Sequence, residues 1–135
     1  MGEVQELEKL VSVQPVGRPP NYGNEISKSA ERGSRFNENK PRWSLLPRLA
    51  LVPVVKVLMY GAKKYEPYNW AKGLSYSETC DSLLRHVNDW RGGETNDAES
   101  GCHHLAHAAC NILFLLHFEL NPDRYGNLDD RQTLI

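Results

Sequence analysis

The stretch from Ser75 to Leu120, SYSETCDSLLRHVNDWRGGETNDAESGCHHLAHAACNILFLLHFEL, constrains the fold more than any other part of the chain. Ser75 followed three residues later by Glu78 has the form of a helix capping box, and Leu83, Leu84, Val87 and Trp90 then recur at the spacing of one helical face. Gly92 and Gly93 stop that helix. A second start lies at Asn96 or Asp97, and from Leu105 to Phe118 the chain is apolar almost all round, the pattern of a helix buried in a bundle; Pro122 ends it. The pattern predicts two antiparallel helices joined by a tight polar turn in an all-α fold.

All five histidines and seven of the 17 acidic residues lie in this stretch, so the chemistry is sought there. Within the second helix Asp97, Ser100, His104, His107 and Asn111 recur at spacings of three and four, which puts them on one face. A polar seam in a buried helix carries a desolvation cost of a few kcal/mol, roughly, unless each group is paired or bound to a metal. The preceding helix returns antiparallel and is expected to set Asp81, Arg85 and Asp89 against the seam. Acids and imidazoles facing inward from paired helices are how bundles build metal sites.

The remainder of the chain frames that hairpin. At 135 residues with 40% hydrophobic and 24% charged side chains, one globular domain is expected. A formal charge of -1 gives no electrostatic case for a nucleic-acid or membrane partner, and no apolar run is long enough to span a bilayer. Cys80, Cys102 and Cys110 form no CxxC pair, and their odd number argues for a reducing, cytoplasmic setting. Residues 1–39, broken by Pro15, Pro19 and Pro20, read as a mobile or extended arm; 40–120 as the helical domain; 121–135 as a polar tail. Within 40–64, Pro53 predicts a kinked helix or two short ones, with a strand as the competing assignment.

Next comes GAKKYEPYNWAKG, residues 61–73. Lys63 and Lys64 are adjacent cations, and Tyr65, Tyr68 and Trp70 interleave with Asn69, which suits a polyphosphate clamp with aromatic faces for a base. A solvated loop pinned by its aromatics explains the same residues equally well.

This block and LLRHVNDWRGGETNDAESGCHHLAHAACNILFLL together resemble the phage-borne dATP/dGTP diphosphohydrolase family, whose pattern runs GAKKY, NW and G, then RH, GE, D, ESG and HLAH. The stretch is also similar to the MazG-like nucleotide pyrophosphohydrolases of phages that replace adenine by 2-aminoadenine. The resemblance covers about Lys40 to Glu119. It implies a MazG-like all-α bundle, Mg²⁺ or Mn²⁺, and cleavage of a purine nucleoside triphosphate to monophosphate and pyrophosphate. Guanine is expected before adenine, because a 2-aminoadenine pathway needs dGMP, and a homo-oligomer is expected.

The wider MazG group pairs an ExxE with an ExxD pattern on facing helices. Glu78-x-x-Asp81 and Glu94-x-x-Asp97 can be laid on it with Asp in place of one Glu, while another alignment sets His104-x-x-His107 in the second place. Mg²⁺ prefers oxygen ligands, so Asp81, Glu94, Asp97 and Glu99 are the candidate ligands, with His104 as a ligand for manganese. Glu94, Asp97 and His107 are expected to carry the chemistry, and Lys63, Lys64, Asn69, Trp70 and Arg85 to bind substrate. His86 is given a supporting part, and His103 and His117 are placed off the seam. The absence of a His-Asp dipeptide from the chain argues against an HD-type phosphohydrolase. The alternative is a non-enzymatic helical module with a structural metal.

Overall fold

A computed structural model describes residues 33–131. Most of the expected N-terminal arm therefore lies outside the described residues. The chain divides into two compact units, 1–46 and 47–135. The described part of the first has no regular secondary structure apart from a turn at 38–39 and a 3-10 turn at Trp43–Leu45.

The second unit is all-α, as expected: helices α1 (Arg48–Lys64), α2 (Tyr76–Arg91), α3 (His104–Glu119) and the short α4 (Pro122–Tyr125), with 3-10 turns at Asn69–Lys72 and Gly126–Leu128. No strand occurs among the described residues. Helix α1 is continuous, which replaces both the two-helix and the strand alternatives. Pro53 falls in its second turn and withholds one N–H from the carbonyl of Leu49, a residue 91% exposed at the open end of the helix.

Helix α3 is central, packing most extensively on α2 and next on α1. Two clusters form along it. Val54 and Val57 of α1 meet Ala106 and Cys110, where small residues let the helices approach closely. Further along, Phe118 is wholly buried against Tyr76 and Tyr125, a burial that contributes about 2–3 kcal/mol. Phe114 touches both clusters. The expectation that α3 is buried all round is corrected: Leu105, Ile112, Leu113 and Leu116 remain exposed, because α1 and α2 cover only part of its circumference. On α1, Val52, Val55 and Met59 are exposed too.

The second helix of the hairpin also starts later than the pattern suggested. Residues 92–103 form a loop closed by an isolated bridge between Asn96 and His103, and His103 is the N-cap, its ring nitrogen accepting from Leu105 N–H at 3.0 Å.

The C-terminal segment packs on the bundle through 131. Tyr125 donates to the carbonyl of Ala71 at 2.6 Å. Leu128 and Tyr125 lie so close to Gly73, whose φ is +101°, that a Cβ there would sit 2.4 Å from Leu128. Ser75 caps α2 as its sequence position predicts, accepting from Glu78 N–H. Another first-turn donor, Ser77 N–H, is met from outside the helix by the Asp130 carboxylate, which also accepts from the hydroxyls of Ser75 and Ser77 at 2.8 and 2.6 Å.

These bonds, the Ser77 hydroxyl first, hold the Asp130 carboxyl down to about 2. A folded-state value depressed below the ordinary Asp value of about 3.9 stabilises the protein above that value and is lost as pH falls through the folded one. Asp130→Asn is therefore expected to lower the melting temperature at pH 7. In a calorimetric pH series, the gap from wild type should close between about pH 4 and about pH 2.

Candidate functional site

Local chain chemistry builds the site from the 92–103 loop. Asp97 accepts the Ser100 N–H at 2.9 Å and its own carbonyl takes the Gly101 N–H at 2.7 Å, an Asx-type turn that Asp, Ser and Gly at these positions favour. Asp97 N–H bonds back to the Cys102 carbonyl at 2.8 Å, which fixes the loop just before α3 begins. Ser100 Oγ then donates to Asp97 Oδ2 at 2.7 Å and accepts from Cys102 N–H at 3.1 Å and from His107 Nε2 at 2.6 Å. Asp97 and His107 are thus brought together, with 3.7 Å between carboxylate and ring nitrogen. The agent is a hydroxyl in a folded loop and not the shared helical face that the spacing suggested.

This is not a nucleophilic triad. The carboxylate touches the hydroxyl instead of orienting the far nitrogen of the histidine, so the serine is a strut between two fixed groups.

The histidines form a second layer. His86, on α2, stacks flat on His107 with ring centres 4.3 Å apart and planes 3° apart. Its Nδ1 lies 2.9 Å from Nδ1 of His104, and His104 Nε2 lies 2.9 Å from Glu94 Oε1. His104 is 1% exposed, whereas Glu94 is 54% exposed. Burial lowers the proton affinity of His86 and of His107, keeping both rings neutral near pH 7. Burial alone would raise the Asp97 carboxyl, but the two Ser100 hydrogen bonds outweigh it and hold the group ionised.

Beside this cluster opens a cavity of about 710 Å³. Asp97, His86, His107 and Asn111 lie on its wall, together with Arg85. The 61–73 block supplies another part of the lining through Lys64, Tyr65, Tyr68, Asn69 and Trp70. Tyr68 holds a left-handed φ of 61°, uncommon for a bulky residue. Trp70 stacks on Phe114 at 5.3 Å and meets the edge of His117 at 4.9 Å, so one indole face is already occupied. Lys64 is paired with Glu99 at 2.6 Å, which raises the lysine and lowers the carboxyl, and Tyr60 donates to the same carboxylate at 3.4 Å.

Among the expected site residues, Asp97, Glu99, His107, Lys64, Asn69, Trp70 and Arg85 line the cavity. His104 and Glu94 are joined to it through His86, Lys63 is exposed outside the lining, and so is Asp81. His86 stands at the centre, a larger part than the sequence assigned to it. The signal was present in Ser82, Arg85 and His86, which share one face of α2 and all line the cavity. Cys110 is buried, its thiol pushed up to about 11, and takes no part as a nucleophile.

His86, Asp97 and His104 bring one possible ligand atom each within 4.8 Å of one another. Two imidazole nitrogens and one carboxylate oxygen suit a divalent transition metal. They suit Mg²⁺, which favours an all-oxygen shell, only through Asp97.

A curated dATP/dGTP diphosphohydrolase of Salmonella phage PMBT28 is 35% identical over 83 residues, covering 62% of this chain and 28% of that protein. The chain therefore matches less than a third of the length of that relative. No solved structure matches. The sequence profile described as dATP/dGTP diphosphohydrolase, N-terminal, matches residues 30–131, and with most of its length inside that match the chain belongs to this family.

Proposed function

We propose that this chain hydrolyses a purine deoxynucleoside triphosphate between the α and β phosphates, releasing the monophosphate and pyrophosphate. The carrying observation is one cavity that has cations, aromatic rings and the Ser100-linked pair Asp97 and His107 on its walls. Family membership and the name of the phage relative support the nucleotide as its occupant.

Arg85 and Lys64 take the phosphate oxygens, with Lys64 exchanging the Glu99 carboxylate for phosphate. Tyr65, Tyr68 and the edge of Asn69 receive the base, and the free side of Trp70 completes that wall. With Ser100 Oγ donating to Asp97, His107 must present its proton at Nε2, which leaves Nδ1 with the lone pair. That atom accepts a proton from water as the oxygen attacks the α phosphorus and the bond to the bridging oxygen breaks, the electron pair leaving on pyrophosphate. Asp97 with the neighbouring histidines would hold a divalent ion, Mg²⁺ or Mn²⁺ by the resemblance, which would supply charge neutralisation for the triphosphate and a more acidic water.

The narrower reading is a guanine preference, supplying dGMP for 2-aminoadenine nucleotide synthesis in a phage; it rests on the similarity to the MazG-like enzymes of such phages. Self-association is proposed through the exposed apolar side chains of α1 and α3, Val52, Ile112 and Leu116 among them. Light scattering should give a mass at least twice that of one chain.

Incubation of dGTP with the protein and Mg²⁺ or Mn²⁺ should yield dGMP and pyrophosphate in equal amounts by ion-exchange chromatography. Appearance of dGDP with orthophosphate would overturn the reading, and bound metal without turnover would return the chain to the binding-module alternative. His107→Ala should reduce kcat by at least about 100-fold with an unchanged circular dichroism spectrum. His103→Ala, which removes only the cap of α3, should cost about 0.5–1 kcal/mol of stability and leave kcat near wild type.

A further inference from the structure

We propose that His86, Asp97 and His104 form a mixed nitrogen–oxygen site for an imidazole-binding transition metal, and that Glu94 is the positioning residue that turns Nδ1 of His104 toward the ion. The proposal deepens the hydrolytic reading by naming the class of metal and the role of a residue outside the cavity wall.

Glu94 Oε1 lies 2.9 Å from His104 Nε2, and a carboxylate can only accept, so Nε2 carries a proton, and a ring with one proton has its lone pair on Nδ1. That lone pair faces Nδ1 of His86 at 2.9 Å. Between two facing ring nitrogens there is room for one proton, here supplied by His86. Two nitrogens each about 2.0–2.1 Å from one ion are about 2.9 Å apart at a right angle and about 3.3 Å apart at the tetrahedral angle. The pair therefore stands near the separation of two ligands, and His86 needs only to carry its proton on Nε2 for both lone pairs to reach an ion. No proton is gained or lost in that change of tautomer.

Asp97 provides the third ligand atom, a carboxylate oxygen within 4.8 Å of a ring nitrogen of each histidine, and Ser100 already fixes that carboxylate in place. His86 and Asp97 also lie on the cavity wall, which gives an ion access to a ligand there. A plain core histidine would account for the burial of His104. It would not account for an imidazole held by a carboxylate on one side while its other nitrogen converges with a second imidazole and a carboxylate, the arrangement in which outer carboxylates orient metal-bound histidines. Nitrogen donors rank the first-row ions, with Zn²⁺ and Co²⁺ ahead of Mn²⁺, and put Mg²⁺ last.

The test uses the full chain, stripped of metal and without nucleotide, so that its outcome is independent of turnover. Titration with Co²⁺ should give one equivalent with a visible ligand-field band. Zn²⁺ should displace it stoichiometrically, whereas Mg²⁺ in 100-fold excess should not. Long-range ¹H–¹⁵N spectra of the Zn²⁺ form should show Nδ1 of both His86 and His104 shifted by the metal. Glu94→Ala, at an exposed position that leaves the helices intact by circular dichroism, should weaken Co²⁺ binding about 10–100-fold, and Glu94→Gln, which keeps an acceptor for Nε2–H, should recover part of the loss. Displacement of Co²⁺ by Mg²⁺, unchanged binding in Glu94→Ala, or metal shifts at Nε2 of His104 would each overturn the assignment. Failure of dGTP hydrolysis with these results intact would overturn only the proposed reaction.

Discussion

A buried imidazole needs a partner at each ring nitrogen, and His104, at 1% exposure, sets that demand for the whole interior. Its two nitrogens are met from two directions, by Glu94 of the loop and His86 of α2. Each partner lies on a different side of the hairpin, so satisfying one ring fixes how the loop and α2 approach α3. Leaving either nitrogen unpaired would cost about 1–3 kcal/mol, a large fraction of the stability of a small domain. The parallel stack of His86 on His107 then carries the same registration one turn along α3.

Ser100 plays the corresponding part on the loop. Its hydroxyl makes three hydrogen bonds, as many as it can, and each has a different consequence: one holds Asp97 ionised, one sets the tautomer of His107, and one pins the chain at Cys102. The opposite side of the unit is held by apolar contact and one hydrogen bond. Tyr125 and Leu128 brace the segment that carries Asn69 and Trp70, through Gly73 and the carbonyl of Ala71. Lys64 and His107, proposed to meet phosphate and water, thus stand on hydrogen bonds, and Trp70, proposed to meet the base, stands on packing.

The hairpin was legible because its signals are local. The Ser75 cap, the stripe ending at Trp90, the paired glycines and the apolar run lie where the helices lie. The loop was misread because Asp97, Ser100, His104 and His107 obey helical spacing while the first two are not helical. An Asx-type turn puts residues i and i+3 together as a helix does, so the right residues met for another reason. Gly101, with a φ of +71°, was the mark of a break that the spacing concealed. His86 was underweighted because its value lies in two contacts across 18 and 21 positions, which no pattern within one helix encodes. The bracing by 122–131 was illegible for a related reason: Tyr125 and Asp130 are ordinary surface-type residues until the tertiary fold buries one and aims the other at α2.

The Lys64–Glu99 pair changes what an incoming anion experiences. A bare lysine offers its full charge to phosphate and loses that attraction steeply as salt screens it. A lysine already held at 2.6 Å by a carboxylate offers only the difference between two anions, and the released Glu99 turns to water carrying its own charge. Recognition at this corner becomes an exchange. A singly charged anion would gain little by displacing a carboxylate of equal charge, whereas the proposed polyphosphate would gain through its additional charges, so the pair would filter ligands by valence and leave the proposed binding less dependent on ionic strength than the count of cations in the cavity would suggest.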